Sequence, residues 1–334
     1  MEVPWESTAN GQGRAAGPVP TVRAMGQRTS LATLAAILGL AGASPAAAAE
    51  RQITVAPGER LHVEVEGAGT PVVLVPGLLG SAFGFRKLTA PLVAGGYRVV
   101  VVEPLGIGAS AKPAAADYSL TAQADRIAAV LAALDLDPAI VVAHSVSASM
   151  ALRLAARHPQ RVRAVVSLDG GPTEAAATPG FRRAMRFAFL IKLFGGTRRL
   201  EGIVRSTLEQ RSADPRWVTD EVVAGYMSAG ARDLGATLTA LRQIAGAREP
   251  EALRPRLSEV RCPVRLVIGT TAHEGGISPA EIALLQEHLP RFEIDRVEAA
   301  GHFVFEEKPE AVVAAIASAD LSGDVPRLAD ARRP

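Results

Sequence analysis

Residues 139–159 read Ala-Ile-Val-Val-Ala-His-Ser-Val-Ser-Ala-Ser-Met-Ala-Leu-Arg-Leu-Ala-Ala-Arg-His-Pro. The first five, Ala139 to Ala143, are an apolar run of the length buried as a strand. From Val146 to about His158 the pattern is that of a helix. A strand that turns into a helix within a few residues forces the residue at the turn, Ser145, into a strained conformation with its side chain clear of the backbone. Small residues two positions to either side, Ala143 and Ser147, let strand and helix approach closely enough to make that turn. This is the geometry of a nucleophile elbow, G-x-S-x-G, with both glycines replaced.

Outward from this turn the chain alternates. Gln52 to Ala56 and Leu61 to Glu66 read as a hairpin around Pro57-Gly58. Pro71 to Val75 is a continuous apolar run, expected for a strand buried on both faces. Arg98 to Val102 reads as strand and Leu120 to Leu134 as a helix with one apolar stripe. Val162 to Leu168 is again strand. About ninety residues of helical composition follow Gly170-Gly171-Pro172. The alternation then resumes with strand Val264–Ile268, helix Pro279–His288, strand Phe292–Val297 and helix Pro309–Ala319. These eight strands predict an α/β fold, a mostly parallel sheet with helices on both faces. Its core spans residues 50–171 and 261–320, with a helical cap, residues 172–260, inserted at the carboxyl edge where sites of such sheets lie. Residues 321–334 are expected to be a polar tail.

The 334 residues are 48% hydrophobic and carry a net charge of +2. No basic run interleaved with aromatics tracks the chain, so nucleic acid is not an expected partner. The single cysteine, Cys262, excludes an internal disulfide. No Cys or His cluster has metal-ligand spacing, and the pair Gly106-Ile-Gly108 lacks the third glycine and following helix of a nucleotide loop. No cofactor and no metal are expected. From Met25 the chain reads like a secretory signal: Arg28, an apolar stretch Leu31–Gly42, and Ala47-Ala48-Ala49 before Glu50. Residues 1–49 are thus an N-terminal extension and signal peptide, the signal spanning about 25–49. The mature protein is expected to be secreted or periplasmic, without stable membrane insertion.

Three pieces fall where an elbow serine needs them. Pro76-Gly77-Leu78-Leu79-Gly80-Ser81 ends the first buried strand, and its glycine lets the loop fold back over the serine. The backbone N–H groups of Leu78 and Val146 are the expected oxyanion donors. Gly301-His302, between the last strand and the last helix, overhangs the same edge and supplies the general base. The acid has two candidates. Glu274 is the only carboxylate in the loop after strand 264–268, where the acid usually lies, and Asp169 sits at the end of the preceding strand. His144 precedes the nucleophile and is expected to be packed and hydrogen-bonded. Ser147 and Ser149 are read as close-packing residues, Ser110 as a turn cap and Cys262 as inert.

The pieces Pro76 to Ser81, Glu103-Pro-Leu-Gly106-Ile-Gly108-Ala-Ser110, His144-Ser145-Val-Ser147 and Gly301 to Pro309 resemble the α/β-hydrolase fold family, its small members with a helical cap. The likeness covers roughly residues 52–319, in the family order serine, acid, histidine. It implies Ser145 as nucleophile, His302 as base, Leu78 and Val146 as oxyanion residues, Asp169 at the less common acid position and Glu274 near the common one. Pro76 stands where many members have histidine.

Phe181, Phe187, Phe189 and Phe194, interleaved with Arg182, Arg183, Arg186, Lys192, Arg198 and Arg199, are read as a lid helix with an apolar roof and a solvated basic face. Trp217, Tyr226 and Met227 are further candidates for the pocket or the core. The expectation is a serine hydrolase of carboxylic esters, lactones included, acting on small to medium apolar substrates. A serine at the elbow argues against alkyl displacement, which in this family needs a carboxylate nucleophile. The resemblance also admits C–C bond hydrolysis, cofactor-free peroxidation, or a non-catalytic binding protein on the same scaffold.

Overall fold

A computed structural model describes residues 49–186 and 196–322. The expected signal and N-terminal extension up to residue 48, Phe187, Phe189, Lys192 and Phe194 of the expected lid, and residues 323–334 of the expected tail lie outside the described residues.

Eight strands form one sheet: β1 (Ala49–Ala56), β2 (Glu59–Gly67), β3 (Thr70–Val75), β4 (Tyr97–Val102), β5 (Ala139–His144), β6 (Val162–Leu168), β7 (Val264–Gly269) and β8 (Phe292–Val297). Their order is β1-β2-β4-β3-β5-β6-β7-β8. β2 pairs antiparallel with both β1 and β4, and every other pairing is parallel.

The central strands are built from Val, Ile, Leu and Ala runs because both their faces are covered. Along β3, Val73 and Val75 pack into one apolar cluster and Val72 and Leu74 into another. β4 and β5 divide in the same way, Val100, Val102, Val141 and Ala143 to the first cluster, Val99, Val101, Ile140 and Val142 to the second. Period-two geometry turns each continuous run into two faces, each with its own core. Helices α2 (Leu120–Ala133) and α3 (Ser147–Arg157) cover the first face. Helix α1 (Arg86–Ala94) and the last helix cover the second. The edge strand β1 has no buried residue, and its polar residues Glu50, Arg51, Gln52 and Thr54 are exposed.

Ser119 caps α2, its hydroxyl accepting from the Ala122 N–H, which satisfies one of the unpaired donors of the first turn. Between β6 and β7 lie α4 (Pro179–Met185), α5 (Gly196–Gln210), α6 (Asp220–Met227) and α7 (Leu234–Gly246), with no strand among the described residues. After β7 come α8 (Pro279–His288), β8, the short α9 (Val304–Glu307) and α10 (Pro309–Ser322). Leu321 and Ser322, expected in the tail, are instead the last residues of α10. Helix α1 was not apparent in the sequence. No helix among the described residues is long and apolar enough to cross a membrane.

Candidate active site

Only Ser145 and Val146 separate β5 from α3. Ser145 has φ +56°, a left-handed conformation that costs a side-chain-bearing residue about 1–2 kcal/mol, and its N–H is held by the Leu168 carbonyl at 2.9 Å. The tight turn needs bare backbone around it. A Cβ on Gly170 would stand 2.0 Å from the Ser145 carbonyl oxygen, and one on Gly77 3.0 Å from His144 Nδ1. Ser147 adds more than small size. Its buried hydroxyl donates to the Pro76 carbonyl at 2.7 Å, tying α3 to the loop after β3. The Ser149 hydroxyl donates to the Thr173 carbonyl at 2.7 Å.

Ser145, His302, Asp169, Leu78 and Val146 all line one cavity of about 480 Å³. The backbone N–H groups of Leu78 and Val146 have no hydrogen-bond partner among the described residues, which leaves both free for an incoming oxyanion. His302 is 2% exposed; its N–H donates to the Arg211 carbonyl at 2.8 Å, and its Nδ1 lies 2.5 Å from Asp169 Oδ2. Its Nε2 makes no hydrogen bond among the described residues, nor does the Ser145 hydroxyl. A nucleophile-to-base contact that tightens only with substrate bound is common in unliganded sites.

Glu307 steadies the histidine loop. One carboxylate oxygen accepts from the N–H groups of Ala213 and Asp214 at 2.7 and 2.9 Å, the other from Gly301 at 2.7 Å.

Of the two acid candidates, Asp169 meets the base. Like Ser145 it has positive φ, +50°, at the end of its strand, and it is 3% exposed. Glu274 is corrected: it is exposed, does not line the cavity and makes no hydrogen bond to His302. Its loop turns His273 and the Ile277 N–H toward Asp169 and leaves residue 274 exposed. The loop's contribution is His273, whose Nε2 lies 2.6 Å from Asp169 Oδ2.

Burial alone would push the Asp169 carboxyl up, but hydrogen bonds from His273 and His302, with their charges, hold it below the ordinary aspartate range. Burial pushes His302 down, and the charges of Arg211 and His273 add to that against the pull of Asp169. The Asp169 hydrogen bond raises His273 despite burial. His144 is packed as expected. Its Nε2 faces the His302 carbonyl at 3.1 Å, and full burial holds it well below an ordinary histidine.

Among the described residues Asp169, His273 and His302 are the one group of such ligand atoms close enough to converge on a cation, within 4.8 Å of one another. Their N···O separations of 2.5 and 2.6 Å are those of shared protons. Two ligands of one tetrahedral ion stand roughly 3.3 Å apart.

Apolar residues dominate the cavity wall: Leu78, Leu79, Phe181, Ile203 and Leu208 among them. Tyr226 also lines it, with its hydroxyl donating to buried Glu306 at 2.9 Å. Met227 and Trp217 instead pack into the core. Arg182, Arg183, Arg186, Arg198 and Arg199 are exposed, and of these Arg182 also lines the cavity. Arg211 is different. It lines the cavity half-buried, and no carboxylate oxygen among the described residues lies within 4.0 Å of it. Neither Arg211 nor the role of His273 was read from the sequence. The only signal was a histidine in the loop where an acid usually stands.

The family model of the alpha/beta hydrolase fold matches residues 70–309. The chain is 34% identical over 130 residues to 2-hydroxymuconate semialdehyde hydrolase of Pseudomonas sp. (strain CF600), covering 38% of this chain and 45% of that protein. It spans less than half the length of this and the other curated relatives matched over that stretch. To 2-(acetamidomethylene)succinate hydrolase of Mesorhizobium japonicum it is 27% identical over 259 residues, 77% of this chain and 90% of the relative. Among solved structures, an alpha/beta hydrolase fold protein from Burkholderia ambifaria superposes with a TM-score of 0.68 at 25% identity, covering 81% of this chain and all of that one. With a strained serine at the strand-to-helix turn, a histidine on the same sheet edge and the family model spanning the core, the chain belongs to the alpha/beta hydrolase fold family.

Proposed function

We propose that the protein is a serine hydrolase that cleaves carboxylic esters, lactones included, through an acyl-enzyme on Ser145. The observation that carries this reading is the Asp169–His302 hydrogen bond at 2.5 Å, which opens into a cavity that Ser145 and two unpaired backbone donors also line. His302 takes the Ser145 proton as the hydroxyl attacks the carbonyl. The Leu78 and Val146 N–H groups hold the resulting oxyanion, and His302 then protonates the leaving alkoxide. Water activated by the same histidine releases the acid and regenerates Ser145. The apolar wall favours acyl or alkyl groups of small to medium size.

A fluorophosphonate probe tests the reading directly. Wild type labels and turns over a p-nitrophenyl ester, whereas Ser145→Ala does neither, with turnover down about 10⁴-fold or more. Equal labelling of the two proteins would defeat it. Export is proposed from residues 25–49 alone, and a mature N-terminus found near Met25, not near Glu50, in periplasmic or culture fractions would count against it.

A second substrate reading has one observation behind it, the half-buried Arg211 guanidinium on the cavity wall without a carboxylate partner among the described residues. A substrate that carries its own carboxylate would supply one, and one relative is named for a succinate. Arg211→Gln should slow a hemisuccinate ester about tenfold more than it slows a neutral p-nitrophenyl ester, the scale of one lost charged hydrogen bond.

A further inference from the structure

Both ring nitrogens of His273 face oxygens that only accept. Nε2 lies 2.6 Å from Asp169 Oδ2, and Nδ1 lies 2.8 Å from the Thr271 carbonyl. The ionised carboxylate of Asp169 accepts from His302 Nδ1 as well, on the same oxygen, and its other oxygen faces the Ile277 N–H at 3.4 Å. An imidazole that satisfies both of its contacts must carry a proton on each nitrogen and is therefore a cation. His273 is not among the cavity-lining residues; its ring stands beside that of His302, centroids 5.4 Å apart, on the same Asp169 oxygen. Its side chain is 8% exposed. The loop backbone crosses the contact at Gly276, where a Cβ would stand 2.6 Å from His273 Nε2 and 2.7 Å from each Asp169 oxygen.

We propose that His273 is a positioning residue for the reaction, an imidazolium that orients the Asp169 carboxylate toward His302 and offsets part of its charge, so that His302 serves as base at lower pH than an Asp–His pair alone would allow. This role rests on the serine-hydrolase reading of Ser145. A general base works only when neutral, and an aspartate beside it stabilises the protonated form. A second positive charge on the same carboxylate oxygen removes part of that stabilisation. The titratable and charged groups that face the two histidines are Asp169, Arg211 and His144, with Glu274 next to His273 on the loop and near Arg211. Asp169 favours the charged form of both histidines. Arg211 opposes it in both, and buried His144 stays neutral. His302 is accordingly depressed, by burial first and by Arg211 and His273 in addition, whereas His273 is raised by its hydrogen bond to Asp169.

The test is the pH profile of fluorophosphonate labelling and of kcat/KM on a p-nitrophenyl ester. It compares wild type with His273→Gln, which keeps a donor for Asp169 but no charge, and His273→Leu, which keeps neither. In the Gln variant the acid limb should move up by about half a pH unit or more, with kcat on the plateau within about threefold of wild type. The Leu variant should move the same way and lose about tenfold in kcat as the carboxylate loosens. A Gln profile that superimposes on wild type overturns the role, as does a fall in kcat with an unmoved limb, which is the mark of a merely structural residue. If the variants do not fold, ¹⁵N spectra of the wild-type imidazoles decide. His273 should be predominantly doubly protonated at pH 6.5, and a neutral ring there overturns the proposal. Wild type that never labels would refute the hydrolase reading instead, a separate outcome.

Discussion

Two turns at the carboxyl edge of the sheet use their backbones in opposite ways. β5 passes into α3 through Ser145 and Val146 alone, flanked by the buried residues His144 and Ser147. Between β7 and α8, residues 270–278 expose Ala272, Glu274 and Gly275 and yet return to the cavity wall at Gly276 and Ile277. The first turn places one side chain by local geometry: once strand and helix form, Ser145 has nowhere else to go. The second places His273 by long-range contact, through a carboxylate at the end of a different strand. Position is thus set locally for Ser145, the proposed nucleophile, and collectively for Asp169, the proposed acid. The two halves of the site should respond differently to mutation.

The largest expected effect divides the two acid candidates. Asp169→Asn should lower kcat by about 10⁴-fold, because His302 loses the partner that orients it and stabilises its charge. Glu274→Gln should stay within about twofold, since an exposed side chain with no site contact has little to lose. Comparable losses from both in ester turnover would break the contrast. Next come the glycines. Gly170→Ala drives a methyl group to 2.0 Å from the Ser145 carbonyl, in fixed backbone, and should cost about 3 kcal/mol or more. Gly275→Ala, at φ +87° but facing only the far end of the Arg211 side chain at 2.9 Å, should cost about 1–2 kcal/mol. Denaturant unfolding of the two variants measures the difference, and equal losses would show the outer loop to be as tightly built as the elbow.

A smaller effect tests the link between elbow and oxyanion loop. Ser147→Ala removes the only side-chain donor to the Pro76 carbonyl among the described residues and should cost about 1 kcal/mol. It should also reduce kcat more than it changes KM, because the Leu78 N–H rides on that loop. An unchanged kcat would mean that the loop holds itself.

The gentlest probe is the pH profile of wild type. The base is active when neutral, and its folded value is depressed below that of an ordinary histidine, so activity should persist as pH falls through about 6.5 and decline only below it. A limb centred above 6.5 in kcat/KM would show that Asp169 outweighs burial, Arg211 and His273 combined.

Much of this molecule was legible before any fold was built, for identifiable reasons. Runs such as Val72 to Val75 and Ile140 to Ala143 can be buried only as strands covered on both sides, and their alternation with helical stretches leaves few topologies for a parallel sheet. The elbow was legible because its chemistry is local. A strand, a serine between small residues and a helix lie within twenty positions, and Gly77 and Gly301-His302 sit at strand ends on the same edge. Helix α1 was missed because Pro91 lies inside it and its apolar face, Leu88 and Leu92, is short.

What sequence alone determined was therefore the architecture, and it also offered the proposed nucleophile, base and oxyanion loop, each read from the spacing of neighbouring residues. Only the tertiary structure decided the acid. Asp169 and Glu274 both follow strands and both carry a carboxylate. Which of them meets His302 depends on how the chain leaves β6 and β7, and that depends on contacts between residues more than a hundred positions apart. The same folding assembled what no spacing announces. It backed Asp169 with His273, clamped the histidine loop with Glu307 and left Arg211 on the cavity wall. Hydrogen bonds between distant side chains leave no period in a sequence, so they become visible only when the chain has folded.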